Sequence, residues 1–465
     1  MSRIATVLSL LIFSIYPTFG ASEAVAADQE GKTLQMSEAL PRRTLLGIQP
    51  ERNAPGVAVT IRQVIPNSTA AALGMKVGDK LVSVNQNKIG DFSELLSVIG
   101  TLSTGNHVQV DVLRNGKSIT LEGSMQPRPF EVSDVAEVTY ESVQYQGNHL
   151  RSILYKPLGF SENQKAPAIL FIQGYTCSSI DYGMLPYVTT RQLLEQLVAA
   201  GNVVYRVEKP GMGDSQSTKH CRDIDFTEEN QAFLQALKHL KNKPFVDPER
   251  TYLWGHSLGV LHAPLVAQQE KVAGIIGYGG VFKGWYDYML DIYAVQAVKH
   301  FSTSPRQAKR NTKRMQPFLN LWLNTQTPWQ EVLKDKSVQG ALSDDLLTID
   351  GDQVVDRHYS FFRDLNQYDF ANLWKQLNVP VLMMHGSFDI QAIEPQWAFD
   401  IAKQTQHPNS QAVVIKGAEH GFMRYKTNEE HMAARNNGQY NPGNPQSHFD
   451  PRIGQQTIEW LAKQG

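Results

Sequence analysis

Thr251-Tyr252-Leu253-Trp254-Gly255-His256-Ser257-Leu258-Gly259-Val260 is the stretch on which the reading of this chain turns. Thr251 to Trp254 combines β-branched and aromatic residues and reads as a strand, and a helix is expected from about Val260. Between them, Gly255-x-Ser257-x-Gly259 leaves no side chain two positions either side of the serine. The backbone can then turn sharply and hold the Ser257 Oγ exposed at its tip. The bare pattern arises by chance in roughly one chain in five to ten of this length. The strand before it and the helix after it are what make it informative. A serine hydroxyl at its ordinary pKa is a weak nucleophile, so this reading requires a carboxylate and then a histidine further along the chain.

Both are present. Pro380 to His385 is an apolar strand running into Gly386-Ser387-Phe388-Asp389, which puts Asp389 just past a strand's C-terminal end, where sites on open α/β sheets form. Ala412 to Ile415 is the next strand, and His420 follows it in Ala418-Glu419-His420-Gly421. Asp389 is the acid candidate and His420 the base candidate. Around them strands and helices alternate: Val138–Tyr145 and Leu150–Tyr155 as a hairpin, then strands at Ala168–Gln173, Val203–Glu208, Gly274–Tyr278 and Val379–Met384, with helices at Thr190–Ala200 and Phe233–Leu240. The fold class is α/β with crossover helices. Residues 281–375 lack a strong strand signal and read as an inserted helical cap. With Ser257, Asp389 and His420 in order, residues from about 138 to 463 resemble an α/β-hydrolase-fold serine hydrolase.

That resemblance carries further expectations. One oxyanion donor is the N–H after the nucleophile, from Leu258. The other is expected from Tyr175, because Gln173-Gly174-Tyr175 resembles the family's His-Gly-x turn with Gln in place of His. Glu208-Lys209-Pro210-Gly211-Met212-Gly213-Asp214-Ser215 resembles the family's proline-glycine loop beside the site; it has no third glycine in register for a phosphate loop. Cys177 and Cys221 each fall in a loop after one of two strands that are neighbours in the resembled fold, so a Cys177–Cys221 disulfide is expected in an oxidising compartment.

The N-terminus names that compartment. Arg3, the apolar run Ile4 to Ile15 and Ala24-Val25-Ala26 form a secretory signal pattern over residues 1–26, and the run falls short of a membrane span. A periplasmic or secreted protein without an integral span in its mature chain is expected. Residues 47–112 then alternate short strands with a helical insert at Ser68–Leu73. Leu45-Leu46-Gly47-Ile48, Ile65-Pro66-Asn67-Ser68 and Val77-Gly78-Asp79-Lys80-Leu81 resemble a PDZ domain of the bacterial protease-associated type, over about 42–127. By that resemblance Leu46, Gly47 and Ile48 line a loop that captures the C-terminal carboxylate of a peptide or protein. Gln126-Pro127-Arg128-Pro129 is the linker.

Composition narrows the function classes. Hydrophobic residues make up 42% of the 465, enough for a sizeable core. A formal net charge of -1 provides no field for nucleic acid. Two cysteines and no His-Glu-x-x-His spacing imply no metal, and no cofactor is implied. His256 and His385 read as packing or hydrogen-bonding residues, and His431 and His448 as members of a polar, Asn-rich segment. Trp285, Tyr286, Tyr288, Tyr293, Phe318, Leu321 and Trp322 either line an apolar acyl pocket or pack helices. Lys309, Arg310, Lys313 and Arg314 read as a solvated helix face. The function expected is an exported serine hydrolase acting on a small-molecule ester. The alternatives are a serine peptidase of the aminopeptidase or dipeptidyl type, and a PDZ-based binding protein with the hydrolase as scaffold.

Overall fold

The structure is a computed structural model that describes residues 40–51, 56–161, 164–442 and 448–464. The signal pattern at 1–26 lies outside the described residues.

An eight-stranded sheet organises the larger part of the chain. Its order is Gln411–Ile415, Val381–Gly386, Gly274–Tyr278, Val246–His256, Ala166–Ile172, Val203–Val207, Asn148–Pro157, Ala136–Tyr145. The first six run parallel, and the last two join as an antiparallel hairpin edge. Strand residues alternate between two apolar cores, one on each face. Ala168, Leu170, Ile172 and Leu253 enter the first, whereas Ile169, Phe171, Tyr252 and Trp254 enter the second. This is why the central strands read as nearly unbroken apolar runs. The helices Phe226–Lys241 and Gly259–Gln269 cover the first face, and Thr189–Ala199 and Arg452–Leu461 the second. Asp225 caps the Phe226–Lys241 helix by accepting from the Glu228 N–H, with Glu228 and Glu229 in its first turn and Lys238 and Lys241 in its last, as the helix dipole favours.

The segment 281–375, expected as an inserted helical cap, is mainly helical but not wholly so. Three two-residue strands, Ile349–Asp350, Gln353–Val354 and Arg357–His358, form a small antiparallel sheet inside it. Strands this short carry no period-2 signal, and turns at Asp350-Gly351-Asp352 and Val355-Asp356 set their pairing. Val355 and Asp356 both have positive φ, 50° and 63°.

Ahead of the sheet lies a smaller unit: a four-stranded antiparallel sheet, a two-stranded pair of Ile48–Pro50 with Ile61–Val64, and the Phe92–Ile99 helix capped by Asp91. Its own core includes Leu46, Ile61, Leu81, Leu95 and Val110. The Ser68–Leu73 expectation narrows to Thr69–Ala72 with Ser68 as its cap. Arg42 anchors this unit to the large sheet. Its guanidinium bonds Asp181 and Asp214, each at 2.5 Å, donates to the Pro129 carbonyl at 2.6 Å, and lies over the Phe130 and Tyr140 rings.

Candidate active site

The strand Val246–His256 and the helix Gly259–Gln269 meet at Ser257, whose φ is 55°. A left-handed serine between strand and helix is the strained turn that exposes a nucleophile. Its flanking glycines are needed for space: a Cβ on Gly259 would stand 2.2 Å from the Ile172 carbonyl oxygen, and one on Gly255 would stand 2.6 Å from the Gly259 oxygen. The Ser257 N–H is held by the Tyr278 carbonyl at 2.9 Å.

Asp389 and His420 leave their strands side by side. His420 Nδ1 lies 2.7 Å from Asp389 Oδ2. The other carboxylate oxygen accepts from the Gln391 and Ala392 N–H groups at 2.8 and 3.0 Å. Burial of Asp389 favours the neutral form, but His420, His385 and the Ala392 N–H outweigh it and hold the carboxyl well below the usual carboxylate range. Behind His420, His256 Nε2 donates to the His420 carbonyl at 2.9 Å. Burial, reinforced by His420, pushes His256 down to about 3, so its ring is a neutral prop. Tyr278 OH donates to the adjacent Glu419 carbonyl at 2.7 Å.

Ser257, Leu258, Tyr175 and His420 line one cleft of about 700 Å³, counting its open mouth. Its walls come from Leu261 and from the cap residues Trp285, Tyr288, Met289, Ile292 and Phe362. Trp285 stacks on Phe362 at 5.5 Å, and the Tyr288 hydroxyl is occupied by the Gln391 carbonyl. None of the described residues lining the cleft is Asp, Glu, Lys or Arg. The seven cap positions that sequence left ambiguous therefore divide. Trp285 and Tyr288 face the cleft; Tyr293, Phe318 and Trp322 are buried in the large core, and Tyr286 and Leu321 are partly buried at its edge.

Two glycines shape the site, Gly279, which sequence did not single out, and Gly174 of the Gln173-Gly174-Tyr175 turn. Gly279 has φ 66°, and a Cβ there would stand 2.9 Å from Asp389 Oδ2 and from His420 Nδ1. Only glycine fits beside that pair. Gly174 lies against the candidate nucleophile, since its Cβ would stand 3.1 Å from Ser257 Cβ. His431 departs from the polar reading given to it. It is fully buried in the Asn428–Asn436 helix and accepts from Arg435 Nε at 2.8 Å, because this helix folds back over the Glu419 carboxylate.

Cys177 and Cys221 are joined in a disulfide with Cα atoms 5.7 Å apart, two residues beyond Tyr175. Closing a 44-residue separation restricts the unfolded chain by about 4 kcal/mol on chain-entropy grounds. The double variant Cys177→Ala/Cys221→Ala is expected to lose stability of that order in urea unfolding, and an unchanged midpoint would assign the bond no stabilising role. Leu46, Gly47 and Ile48 lie in the smaller unit and do not line the cleft. The Leu46 and Gly47 carbonyls accept from Ala70 and Ile65 N–H, and the Leu46 and Ile48 side chains are buried.

Known proteins were compared with this chain. The family model described as PDZ domain matches residues 44–124. Periplasmic serine endoprotease DegP of Salmonella typhimurium is 39% identical over 66 residues, covering 14% of this chain and 14% of DegP. Esterase EstD of Thermotoga maritima is 21% identical over 300 residues, 64% of this chain and 62% of EstD. The chain thus spans about one seventh of DegP and under two thirds of EstD. Among solved structures, Est1E from Butyrivibrio proteoclasticus with bound ferulic acid aligns over 64% of this chain and 97% of its own, at 17% identity and a TM-score of 0.42. The family model described as Serine aminopeptidase, S33, matches residues 187–426, just over half of the chain. Those residues hold Ser257, Asp389 and His420 alike, and the chain belongs to this S33 family of α/β hydrolases, with a PDZ domain ahead of its large sheet.

Proposed function

We propose that this chain is an exported serine hydrolase that cleaves esters of apolar carboxylic acids through an acyl-enzyme on Ser257. The observation that carries the reading is the His420–Asp389 contact behind a cleft that Ser257 shares with apolar, aromatic walls. His420 Nε2 takes the hydroxyl proton as Ser257 Oγ attacks the ester carbonyl, and Asp389 holds the Nδ1–H and stabilises the imidazolium. The Leu258 and Tyr175 N–H groups receive the oxyanion. Collapse of the tetrahedral intermediate expels the alcohol, protonated by His420. Water, deprotonated by the same imidazole, then attacks the acyl-serine and releases the acid.

The cleft lining supports an ester over a peptide with a free N-terminus. An α-ammonium group desolvated among Trp285, Tyr288 and Phe362 would need a carboxylate partner, and none of the described lining residues is acidic. The relative named an esterase, EstD, points the same way. Export is supported by the signal pattern at 1–26, by the Cys177–Cys221 disulfide and by the periplasmic relative DegP. Among the described residues no helix is long and apolar enough to cross a membrane. The proposed division is a leader at 1–26, a PDZ domain at 42–127 with Leu46, Gly47 and Ile48 receiving a peptide carboxylate, and a hydrolase at 138–463 capped by 281–375.

A panel of p-nitrophenyl esters beside aminoacyl and dipeptidyl p-nitroanilides tests the substrate class. Each buried methylene contributes about 0.8 kcal/mol, so kcat/KM is expected to rise roughly tenfold from acetate to butyrate. Turnover of the anilides without ester turnover would replace this reading with a peptidase.

A further inference from the structure

Beneath the Gly174-Tyr175 loop lies a cluster of buried charges that the mechanism above does not use. Lys209 Nζ donates to the Gly174 carbonyl at 2.6 Å and meets Glu229 Oε1 at 2.8 Å. Arg357 donates to the Tyr175 carbonyl at 2.8 Å and, through its other terminal nitrogen, to Glu229 Oε2 at 2.6 Å. His262 Nε2 lies 3.2 Å from Glu229 Oε1, with its Nδ1 facing the Asn230 amide nitrogen. The side chains of Lys209, Glu229, Arg357 and His262 have no exposed surface. They come from four places: the proline-glycine loop, the helix Phe226–Lys241, the helix Gly259–Gln269, and the inserted cap.

The Gly174 carbonyl and the Tyr175 N–H are two ends of one peptide unit. A trans peptide is planar, so its C=O and N–H point in opposite directions. Anchoring the carbonyl on Lys209 therefore fixes the plane and turns the N–H away from the charge cluster, while Gly174 itself abuts Ser257. A cation on the carbonyl also draws electron density from the amide and makes its N–H a stronger donor. Arg357 holds the next carbonyl and prevents the loop from rotating about Tyr175. The geometry points to Lys209 and Arg357, joined through Glu229, as positioning residues that orient and polarise the Tyr175 N–H for the oxyanion. This rests on the acyl-enzyme reading and on Tyr175 as its second donor.

Two observations strengthen the assignment. Burial and the neighbouring Arg357 lower Lys209, while Glu229 raises it; it reaches about 8 and stays a cation at neutral pH. Burial raises Glu229, but Arg357 and Lys209 outweigh it and hold the carboxyl ionised. Arg357 is delivered by the turn at Val355-Asp356, where a β-branched valine has positive φ. Such a residue keeps that backbone only where its surroundings hold it. Here the Val355 carbonyl accepts from the Tyr175 hydroxyl at 3.3 Å.

Lys209→Met tests this in the full chain, with p-nitrophenyl butyrate as substrate and an alkylboronic acid as the probe that forms a tetrahedral adduct on serine. The expected result is a fall in kcat of about 10²-fold with KM within about threefold, and a matching loss of boronate affinity. Lys209→Arg, which keeps the charge, is expected to retain kcat within about tenfold of the wild type. If the methionine variant does not fold, Lys209→Gln replaces it; a neutral donor keeps the anchor but not the charge, so a smaller fall in kcat, about tenfold, is expected with KM unchanged. A folded neutral variant with wild-type kcat and boronate affinity overturns the inference, as does a loss confined to KM. Fluorophosphonate labelling of the wild type separates the two failures: an unlabelled Ser257 sinks the acyl-enzyme reading and this inference with it, whereas labelling beside an unaffected Lys209→Met sinks the inference alone.

Discussion

Ser257→Ala is expected to lower kcat/KM for p-nitrophenyl butyrate by roughly 10⁵- to 10⁶-fold, with the fold intact. The size follows from what is lost. Without the hydroxyl no acyl-enzyme forms, and His420, Asp389 and the oxyanion donors are left to assist water directly, which yields only a small residual rate. Stability should change little, because Ser257 is held through its backbone N–H to Tyr278 and the turn is built by Gly255 and Gly259. Two measurements check this: steady-state rates against the melting temperature of each form, and the mass of the fluorophosphonate adduct, which should map to Ser257 and vanish in the variant. Activity within a hundredfold of the wild type, or an adduct on another residue, would remove Ser257 from the nucleophile's role.

What the amino-acid sequence made legible follows a physical line. A strand buried on both faces, Gly274–Tyr278, was read with the boundaries it has, because a run of apolar residues between turn formers has few other uses. The Phe226–Lys241 helix begins well before the apolar stretch that suggested it. Its start lay in Asp225 with Glu228 and Glu229, a capping signal more informative there than hydrophobicity. The candidates Ser257, Asp389 and His420 were visible because each follows a strand in a motif with local constraints, and the structure places Asp389 2.7 Å from His420. The charge cluster under the Gly174-Tyr175 loop was not visible in this way. Arg357 and Glu229 are 128 residues apart, and in sequence each is one more charge in a polar stretch. Gly279 was equally silent, since its importance comes from a carboxylate and an imidazole that arrive from two later loops.

Asp389→Asn is expected to lower kcat by about 10⁴-fold while leaving the melting temperature nearly unchanged, and the direction can be derived from the loop around it. In the wild type Oδ1 accepts from the Gln391 and Ala392 N–H groups, and Oδ2 faces His420 Nδ1. An asparagine must keep its single oxygen toward those two backbone donors, because an NH₂ there would meet two N–H groups head on. Its amide nitrogen is then turned toward His420 Nδ1, which can only accept. The imidazole proton moves to Nε2, the atom that must take the Ser257 proton, and the base is lost without any change of shape. The carboxylate that would stabilise the imidazolium is lost as well. A histidine resonance assigned to Nδ1–H in the wild type and to Nε2–H in the variant would report the tautomer directly. An Asp389→Asn variant within tenfold of wild-type kcat would mean that Asp389 does not orient the base, whatever its distance from His420.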